Sequence, residues 1–403
     1  MSGAGNDAAG LALAGLGFVL LLLALHPFTT YPLSLRLLAR LQPRPIRAGA
    51  VGGRAALCVC AYNEERVIGA KVENMLAMRQ AMPSLDILVY VDGASDGTAA
   101  ILEPYRDRVT VVVSPERHGK THGMNTLVGL TDAPFLVFSD ANVTFADDAI
   151  PHLLAPFADP AAGAVCGHLL YTGPDGSTTA QAGSLYWRLE ERIKALESAT
   201  GSVMGADGSI FALRRALHEP PPADLIDDMH ASLAILCAGY RIVRVEDARA
   251  YEASVSRPAE EFRRKVRIAC QAFNVHRALW PRLRRMPWLD RYKYVSHKLL
   301  RWLVIYLLAA GAAAGLAGLA LAGAHAVAAV LLAGGLALLL AILVAPHGPL
   351  ATLREVLGAF LATGIGVLRS LRGERFQTWN PPLSARGAAA HGMLAVATRR
   401  ERG

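Results

Sequence analysis

The apolar run Phe135-Leu136-Val137-Phe138 empties into Ser139-Asp140-Ala141-Asn142. In an extended segment, positions i and i+2 share a face, so Asp140 and Asn142 turn oxygen atoms to the same side. Hard divalent cations such as Mg2+ take oxygen ligands and complete their shell with water and substrate phosphates. The pair therefore suits Mg2+ or Mn2+ carrying a diphosphate. Asp and Asn at a strand end serve equally as turn formers and helix caps. Residues elsewhere in the chain must decide between the two roles.

Three more polar clusters precede this one: Tyr62-Asn63-Glu64-Glu65, Asp92-Gly93-Ala94-Ser95-Asp96-Gly97-Thr98 and Arg117-His118-Gly119-Lys120. Each follows a short apolar run. Residues 55–61, 86–91, 109–113 and 135–139 read as strands, and 64–79, 97–104 and 119–130 as helices. Short buried strands alternating with helices predict βαβ units and a mainly parallel sheet. Ligands of such sheets bind at the carboxyl ends of the strands, where all four clusters fall. Taken singly, each is ordinary loop chemistry, with Asn63 as a cap, Asp92-Gly93 and Asp96-Gly97 as turns, and Lys120 as a solvated charge. Together they offer acids for a base or sugar, a lysine for phosphate and a metal pair.

The 403 residues are 53% hydrophobic, more than a purely soluble domain carries. Residues 11–35, 303–321 and 326–345 contain no Asp, Glu, Lys or Arg. Each approaches the roughly 20 residues that cross a hydrocarbon core as a helix. The first reads as an uncleaved anchor, because Asp7 and no basic residue precedes it and Pro27 and Tyr31 suit a cleavage site poorly. Arg36, Arg40, Arg44 and Arg47 follow it, and Arg282, Arg284, Arg285, Arg291, Lys293, Lys298 and Arg301 lead into the second span. That bias predicts a cytoplasmic region between them; the membrane in the reading as a whole is a bacterial inner membrane. The 13-residue apolar run 356–368, bounded by Arg354, Glu355 and Arg369, predicts an interfacial or re-entrant helix, with a fourth span as the alternative. Trp379 is expected at the membrane interface or as a gate of the site. The net charge of +8 sits largely beside these segments, which fits anionic lipid headgroups better than nucleic acid. The five cysteines show no zinc spacing, and Cys58 and Cys60 read as small buried strand residues.

The ordered set Ala61-Tyr62-Asn63-Glu64-Glu65, Asp92 to Thr98, Gly119-Lys120 with Asn125, and Asp140-Ala141-Asn142 resembles the family 2 glycosyltransferases of the GT-A fold. Members of that family are inverting enzymes that use nucleotide sugars and a divalent metal. Residues 205–215 resemble the family's glycine-rich acceptor-side segment, and Asp227-Asp228 its acidic pair at the start of a helix. Phe262-Arg263-Arg264-Lys265-Val266-Arg267 resembles the basic segment before the membrane in polysaccharide-synthase-like members, relatives of hyaluronan, cellulose and poly-N-acetylglucosamine synthases. The resemblance covers roughly residues 54–274. It departs in two places. The acidic pair is Asp-Asp where Glu-Asp is usual, and Gln271-Ala272-Phe273-Asn274 lacks the Arg and Trp of the processive Gln-x-x-Arg-Trp signature, so processive synthesis is not implied.

The fold class expected is thus α/β, a GT-A domain with a mainly parallel central sheet and membrane helices at both ends. The divisions are 1–35 for the anchor, 36–53 for a linker, 54–255 for the GT-A domain and 256–298 for basic juxtamembrane helices. Residues 299–346 are a membrane hairpin, 347–376 an amphipathic re-entrant or fourth membrane helix, and 377–403 a tail. The resemblance implies a metal on Asp140 and Asn142, with Lys120, Arg264 and Arg267 on phosphates. It also implies Asp92 on uridine and Tyr62 and Glu64 along base and ribose. Asp228 is the general base chosen, since it opens a helix with Met229, Leu233 and Leu236 on one face. Asp227 is the acceptor-side neighbour or the N-cap, and Asp207 is an acceptor contact or a turn. His118, His122 and His230 are bystanders. Tyr186, Trp187, Leu189, Ile193 and Leu196 have the spacing of a helix core. The expected partners are a nucleotide-sugar donor, a glycan or lipid-linked acceptor, the bilayer, and a second copy or an export partner, without nucleic acid. Of the alternatives, a nucleotidyltransferase needs a glycine-rich basic loop after the first strand, where Tyr62-Asn63-Glu64-Glu65 stands. A non-catalytic export component has no use for Asp92, Asp140 and Asp228.

Overall fold

The computed structural model describes residues 2–172, 178–253 and 258–378. Trp379 and the rest of the expected tail lie outside the described residues. The chain opens with α1 (Ser2–Leu25), a 3-10 turn (His26–Phe28) and α2 (Thr30–Leu41). The apolar stretch 11–35 is therefore not one span. Pro27 has a fixed φ and no N–H to continue the helical ladder, so the chain turns there and α2 starts in a new direction.

The α/β region follows as β1 (Ala55–Ala61), α3 (Ile68–Ala81), β2 (Leu85–Asp92), α4 (Thr98–Leu102), β3 (Thr110–Ser114), α5 (Lys120–Gly129) and β4 (Phe135–Asp140). After it come β5 (Thr144–Phe145), α6 (Ala149–Leu154), β6 (Ala162–Thr172), α7 (Thr178–Ala199), β7 (Ile210–Arg214), α8 (Asp227–Cys237) and β8 (Arg241–Ala253). Strand order is β3-β2-β1-β4-β7-β6-β8-β5. The first four strands are parallel, while β7 runs antiparallel between β4 and β6. Residues 55–59 are wholly buried, as a central strand covered on both faces requires. On one face lie Val72, Met75 and Met78 of α3 with Ile150 and Leu153 of α6. On the other lie Met124 and Leu127 of α5, Leu233 and Ile235 of α8, and Phe273. Strand order reverses between β1 and β4, which opens a crevice at their carboxyl ends.

The C-terminal part is helical: α9 (Pro258–Leu283), α10 (Trp288–Tyr294), a π-turn (Val295–Leu299), α11 (Leu300–Leu321), α12 (His325–Val344) and α13 (Pro349–Leu371). Among the described residues, four stretches are long and apolar enough to cross a membrane: Asp7–Phe28, Trp288–Leu321, His325–Val344 and Pro349–Leu371. The last is ten residues longer than the uncharged run 356–368, because Pro349 sets the first helical turn after Gly348 (φ +83°) and Arg354 donates to the carbonyl of Ala345. Small residues let α1 and α11 meet backbone to backbone. A Cβ on Gly17 would lie 2.4 Å from the Gly315 nitrogen, and one on Gly318 would lie 2.3 Å from that of Ala14. The second stretch begins well before residue 303 because its charges are buried against the domain. His297 bridges Glu197 (2.8 Å) and Glu190 (3.0 Å), Arg301 pairs with Glu190, and Tyr31 donates to Glu197.

Candidate active site

The four loops at the carboxyl edge of the sheet are laced together by their own polar side chains. Asn63 takes the left-handed conformation (φ 54°), which asparagine tolerates, and its Oδ1 accepts the Ser95 N–H at 2.8 Å. Asp96 accepts the Glu65 N–H (3.1 Å), Glu65 accepts that of Gly97 (2.9 Å), and the Glu64 N–H donates to Thr98 Oγ1 (2.8 Å). Gly93 (φ +59°) lies directly under the next loop, with the Glu116 carbonyl carbon 2.7 Å from any added Cβ. Asp92 is 3% exposed, and its two oxygens accept the backbone N–H groups of His118 (2.7 Å) and Gly119 (2.9 Å). In this arrangement its carboxylate shapes the loop that leads into Lys120. Arg117 of that loop stacks its guanidinium 3.5 Å above the Tyr62 ring.

Lys120, the first residue of α5, joins the acids. Its Nζ is 2.7 Å from Asp140 Oδ1 at the end of β4 and 3.4 Å from Asp227 Oδ2 at the start of α8. A Cβ added to Gly208 would sit 2.8 Å from Asp228 Oδ2 and 3.3 Å from the same Nζ. Asp140, Asp227, Asp228 and the glycine-rich loop thus meet at one ammonium. Burial disfavours its charge, yet the carboxylates of Asp140, Asp227 and Asp228 hold Lys120 well above the usual lysine value. Asp228 moves the other way for a carboxylate: burial and the Asp227 charge push it up to about 7, against the pull of Lys120. Its Oδ1 accepts the Met229 N–H (2.6 Å), and Ser232 donates to its carbonyl (2.6 Å) while accepting the Ala206 N–H (3.0 Å). The loop 205–208 is thereby pinned to the first turn of α8.

Asp140 and Asn142 are backed by residues that local pattern does not single out. Asn142 Nδ2 donates to Glu252 Oε1 on β8 at 3.1 Å, which leaves the amide oxygen to ligate. Glu252 is raised to about 7 by burial above all, with the nearby Asp140 charge adding to it and Arg264 opposing. From the opposite side, fully buried Lys71 of α3 donates to Ser139 Oγ (2.8 Å) and to the Val143 carbonyl (2.6 Å), the two ends of the Asp140-Ala141-Asn142 turn. Asn74 one turn later makes both backbone bonds to Phe145. No group of three or more His, Cys, Asp or Glu suited to a metal occurs among the described residues. The donor set is one carboxylate and one carboxamide, hard oxygen ligands that leave most positions to water and phosphate, as Mg2+ and Mn2+ demand. That the Lys120 ammonium lies against Asp140 marks the same spot as one that favours a cation.

The remaining expected residues fall around this centre. Asp207 accepts the Ser209 N–H (3.0 Å) and faces Lys194 at 3.7 Å; burial would raise its carboxyl, but Lys194 keeps it below the usual range. Arg264 and Arg267 lie on α9, the first 3.4 Å from Glu261 and the second bonded to Gln271 at 3.0 Å. Burial, then the Arg264 charge, lower Arg267 to about 10, with Asp140 acting against them. Glu64 is 8% exposed at the foot of the first loop. Ile193, with Leu189 and Leu196, packs on Tyr31 and Leu35, and the Trp187 indole donates to the Leu169 carbonyl, so those four serve packing, whereas Tyr186 is 45% exposed and accepts from Arg301 instead of joining a core. Lys71, Lys194 and Glu252 are the charged residues that the sequence reading passes over. Local pattern gives them no signal, because α3, α7 and β8 each carry other charged residues from which these three do not stand out.

Residues 56–220 match the family model "Glycosyl transferase family 2". The chain is 26% identical over 250 residues to an N-acetylglucosaminyltransferase of Rhizobium sp. (strain N33), covering 57% of this chain and 54% of that protein. It is 26% identical over 189 residues to an O-antigen chain rhamnosyltransferase of Salmonella anatum, covering 44% and 59%. The chain thus spans little more than half the length of these two relatives. Among solved structures, a mannosyltransferase from Pyrobaculum calidifontis in complex with GDP-Man and Mn2+ shares the fold with a TM-score of 0.68 at 23% identity, over 92% of this chain and 99% of that one. A family match over the βαβ region, a GT-A-like sheet and acids gathered at its carboxyl edge agree with one another, and the chain carries a glycosyl transferase family 2 domain over residues 56–220.

Proposed function

We propose that this protein is a membrane-embedded inverting glycosyltransferase that moves a sugar from a nucleotide-diphosphate donor, UDP-linked in the first instance, to a hydroxyl of a glycan or lipid-linked acceptor. The observation that carries the reading is the Lys120 bridge between Asp140 and the Asp227-Asp228 pair, which sets leaving-group and acceptor chemistry within one side chain's reach. Tyr62, with Arg117 stacked on it, and Glu64 line the place for base and ribose, and Asp92 holds the phosphate loop in shape beneath them. Asp140 and Asn142 would hold Mg2+ or Mn2+, which when bound supplies Lewis-acid neutralisation of the departing diphosphate. Lys120, Arg264 and Arg267 add cationic contacts to phosphate oxygens.

In the transfer, the acceptor oxygen forms a bond to the anomeric carbon as the bond from that carbon to the diphosphate oxygen breaks. The electron pair leaves with the nucleotide, and the acceptor proton passes to Asp228. A base on the face opposite the leaving group gives inversion. Asp207 and Asp227 lie on the acceptor side, where their carboxylates can accept sugar hydroxyls. The four apolar stretches, with the Lys and Arg bias around residues 36–47 and 282–301, support a multi-pass protein whose catalytic domain faces the cytoplasm. The test is to supply membranes containing the protein with a panel of radiolabelled nucleotide sugars and Mn2+ or Mg2+. Label should pass into an acceptor from one donor class, and chelator should stop it. No transfer from any nucleotide sugar, with donor bound, refutes the proposal.

A further inference from the structure

The glycine-rich loop that touches Asp228 is held at its entry by a buried polar network that the catalytic reading does not use. Glu190 and Glu197 stand at i and i+7 on α7 and so share a face of that helix. Facing them is the π-turn Val295–Leu299 at the head of α11, with His297 at its centre. His297 Nδ1 lies 2.8 Å from Glu197 Oε1, and its Nε2 lies 3.0 Å from Glu190 Oε1. Tyr31, the second residue of α2, donates to the same Glu197 oxygen. Glu197, His297 and Tyr31 are wholly buried. Burial would raise the Glu197 carboxyl, but His297 and the Tyr31 hydroxyl hold it below the usual range, so it stays an anion that only accepts.

The second oxygen of that anion reaches the loop. Glu197 Oε2 accepts the Met204 N–H at 3.1 Å, while Lys293 donates to the carbonyls of Glu197 (3.1 Å) and Ser202 (3.5 Å). Lys298, one residue beyond His297, flanks the next position, since a Cβ on Gly205 (φ +103°) would lie 4.0 Å from its Cε and 3.9 Å from Ser232 Oγ. Four residues after Met204 comes Gly208, against Asp228 and Lys120. Four residues of extended chain span at most about 14 Å. The carboxylate that ties α2 and α11 to the domain is therefore also the one that fixes where the acceptor-side loop starts. A buried ion pair adds little net stability over well-packed apolar side chains, and what it adds here is a fixed geometry.

We propose that Glu197, set by His297 and Tyr31, is a positioning residue for the transfer reaction, holding loop 204–208 so that Asp207 and Gly208 keep the acceptor hydroxyl against Asp228. The inference rests on the sugar-transfer reading of the site. It makes the geometry of the loop depend on how α2 and α11 join the domain, since Tyr31 follows the Asp7–Phe28 stretch and His297 lies within Trp288–Leu321. Donor binding does not depend on it, because Tyr62, Asp92, Asp140 and Asn142 stand on other loops.

The test is Glu197→Met in the full chain, reconstituted in lipid nanodiscs. Methionine keeps the length of the side chain and removes both accepting oxygens, so the Met204 N–H loses its partner. The kcat for sugar transfer should fall about 100-fold, the cost of a misplacement of about 1 Å, while donor affinity, measured calorimetrically in Mn2+, stays within about twofold. A merely structural role would weaken both together. Combined with Gly208→Ala, the loss should be little greater than that of the worse single variant, because both act through one loop. A kcat within about tenfold of wild type, donor affinity lost in step with transfer, or losses that multiply overturn the proposal. Tyr31→Phe keeps the buried ring and removes only the donor to Glu197, and it decides the matter if Glu197→Met does not fold. Its kcat should fall about threefold, the size of one hydrogen bond, at unchanged donor affinity, and an unchanged kcat overturns the proposal. A wild-type chain that moves no sugar from any nucleotide donor fails the transfer reading, whereas one that transfers no better than its Glu197→Met variant fails only this inference.

Discussion

Asp228→Asn is the sharpest perturbation of the catalytic reading. Asparagine keeps the Oδ1 that accepts the Met229 N–H at 2.6 Å, and the Ser232 bond to the residue's carbonyl does not involve the side chain. The start of α8 is therefore preserved while the proton acceptor beside Gly208 is lost. Removing a general base slows a reaction by about 10²- to 10⁴-fold, or roughly 3–5 kcal/mol of barrier at 1.36 kcal/mol per decade. The pH profile gives a second readout. With its carboxyl pushed up to about 7 by burial and Asp227, Asp228 is ionised and competent above that pH and protonated below it. Wild-type kcat/KM should fall about tenfold per unit below the midpoint, and the variant should lack this limb. Stability should move oppositely. Between the ordinary 3.8 and about 7 the folded state binds the extra proton, so ionising Asp228 destabilises the fold as pH rises through that window. Asp228→Asn should therefore melt at or above the wild-type temperature at alkaline pH. The assay is transfer of radiolabel by purified protein in lipid nanodiscs, with donor affinity measured calorimetrically in Mn2+. A loss of less than about tenfold, or an acid limb that persists in the variant, refutes the role given to Asp228.

Gly208→Ala places a methyl group 2.8 Å from Asp228 Oδ2 and 3.3 Å from Lys120 Nζ, so transfer should fall by more than about tenfold while circular dichroism stays native; full activity would mean that the loop and the base are not in contact. Glu252→Leu removes the acceptor that orients Asn142, and Mn2+ affinity measured by electron paramagnetic resonance without sugar acceptor should drop about 10- to 100-fold, an unchanged affinity ruling out that support. Lys71→Met strands the buried Val143 carbonyl, a loss of about 1–3 kcal/mol in denaturant unfolding. Because burial lowers the Lys71 amine from 10.5 to about 7, the unfolded chain binds more protons in that window, and the wild-type advantage over Lys71→Met should grow as pH rises from 7. An advantage that shrinks over the same range would show that Lys71 is held charged.

Much of this protein is decided by short-range pattern. The apolar runs at 55–61, 86–91 and 135–139 form strands at almost those bounds, because a strand buried on both faces must be apolar at every position. The loops after them carry Asn, Asp and Gly because those residues tolerate the left-handed and tight-turn backbone found at Asn63 and Gly93. Their common rim follows from parallel topology alone. Uncharged length likewise marks the membrane-crossing candidates, but not their ends. Pro27 breaks the first within its apolar run, and buried ion pairs carry the second into charged sequence, since hydropathy counts composition and not pairing.

Tertiary structure decided which polar atoms meet. Asp92 turns its two oxygens to backbone N–H groups 26 and 27 residues away, Lys120 gathers acids from β4 and α8, and Lys71 and Glu252 brace the Asp140–Asn142 turn from opposite sides. No local rule finds Lys71 or Glu252, because a buried charge is tolerated for partners distant in the chain and its own neighbours carry no trace of them.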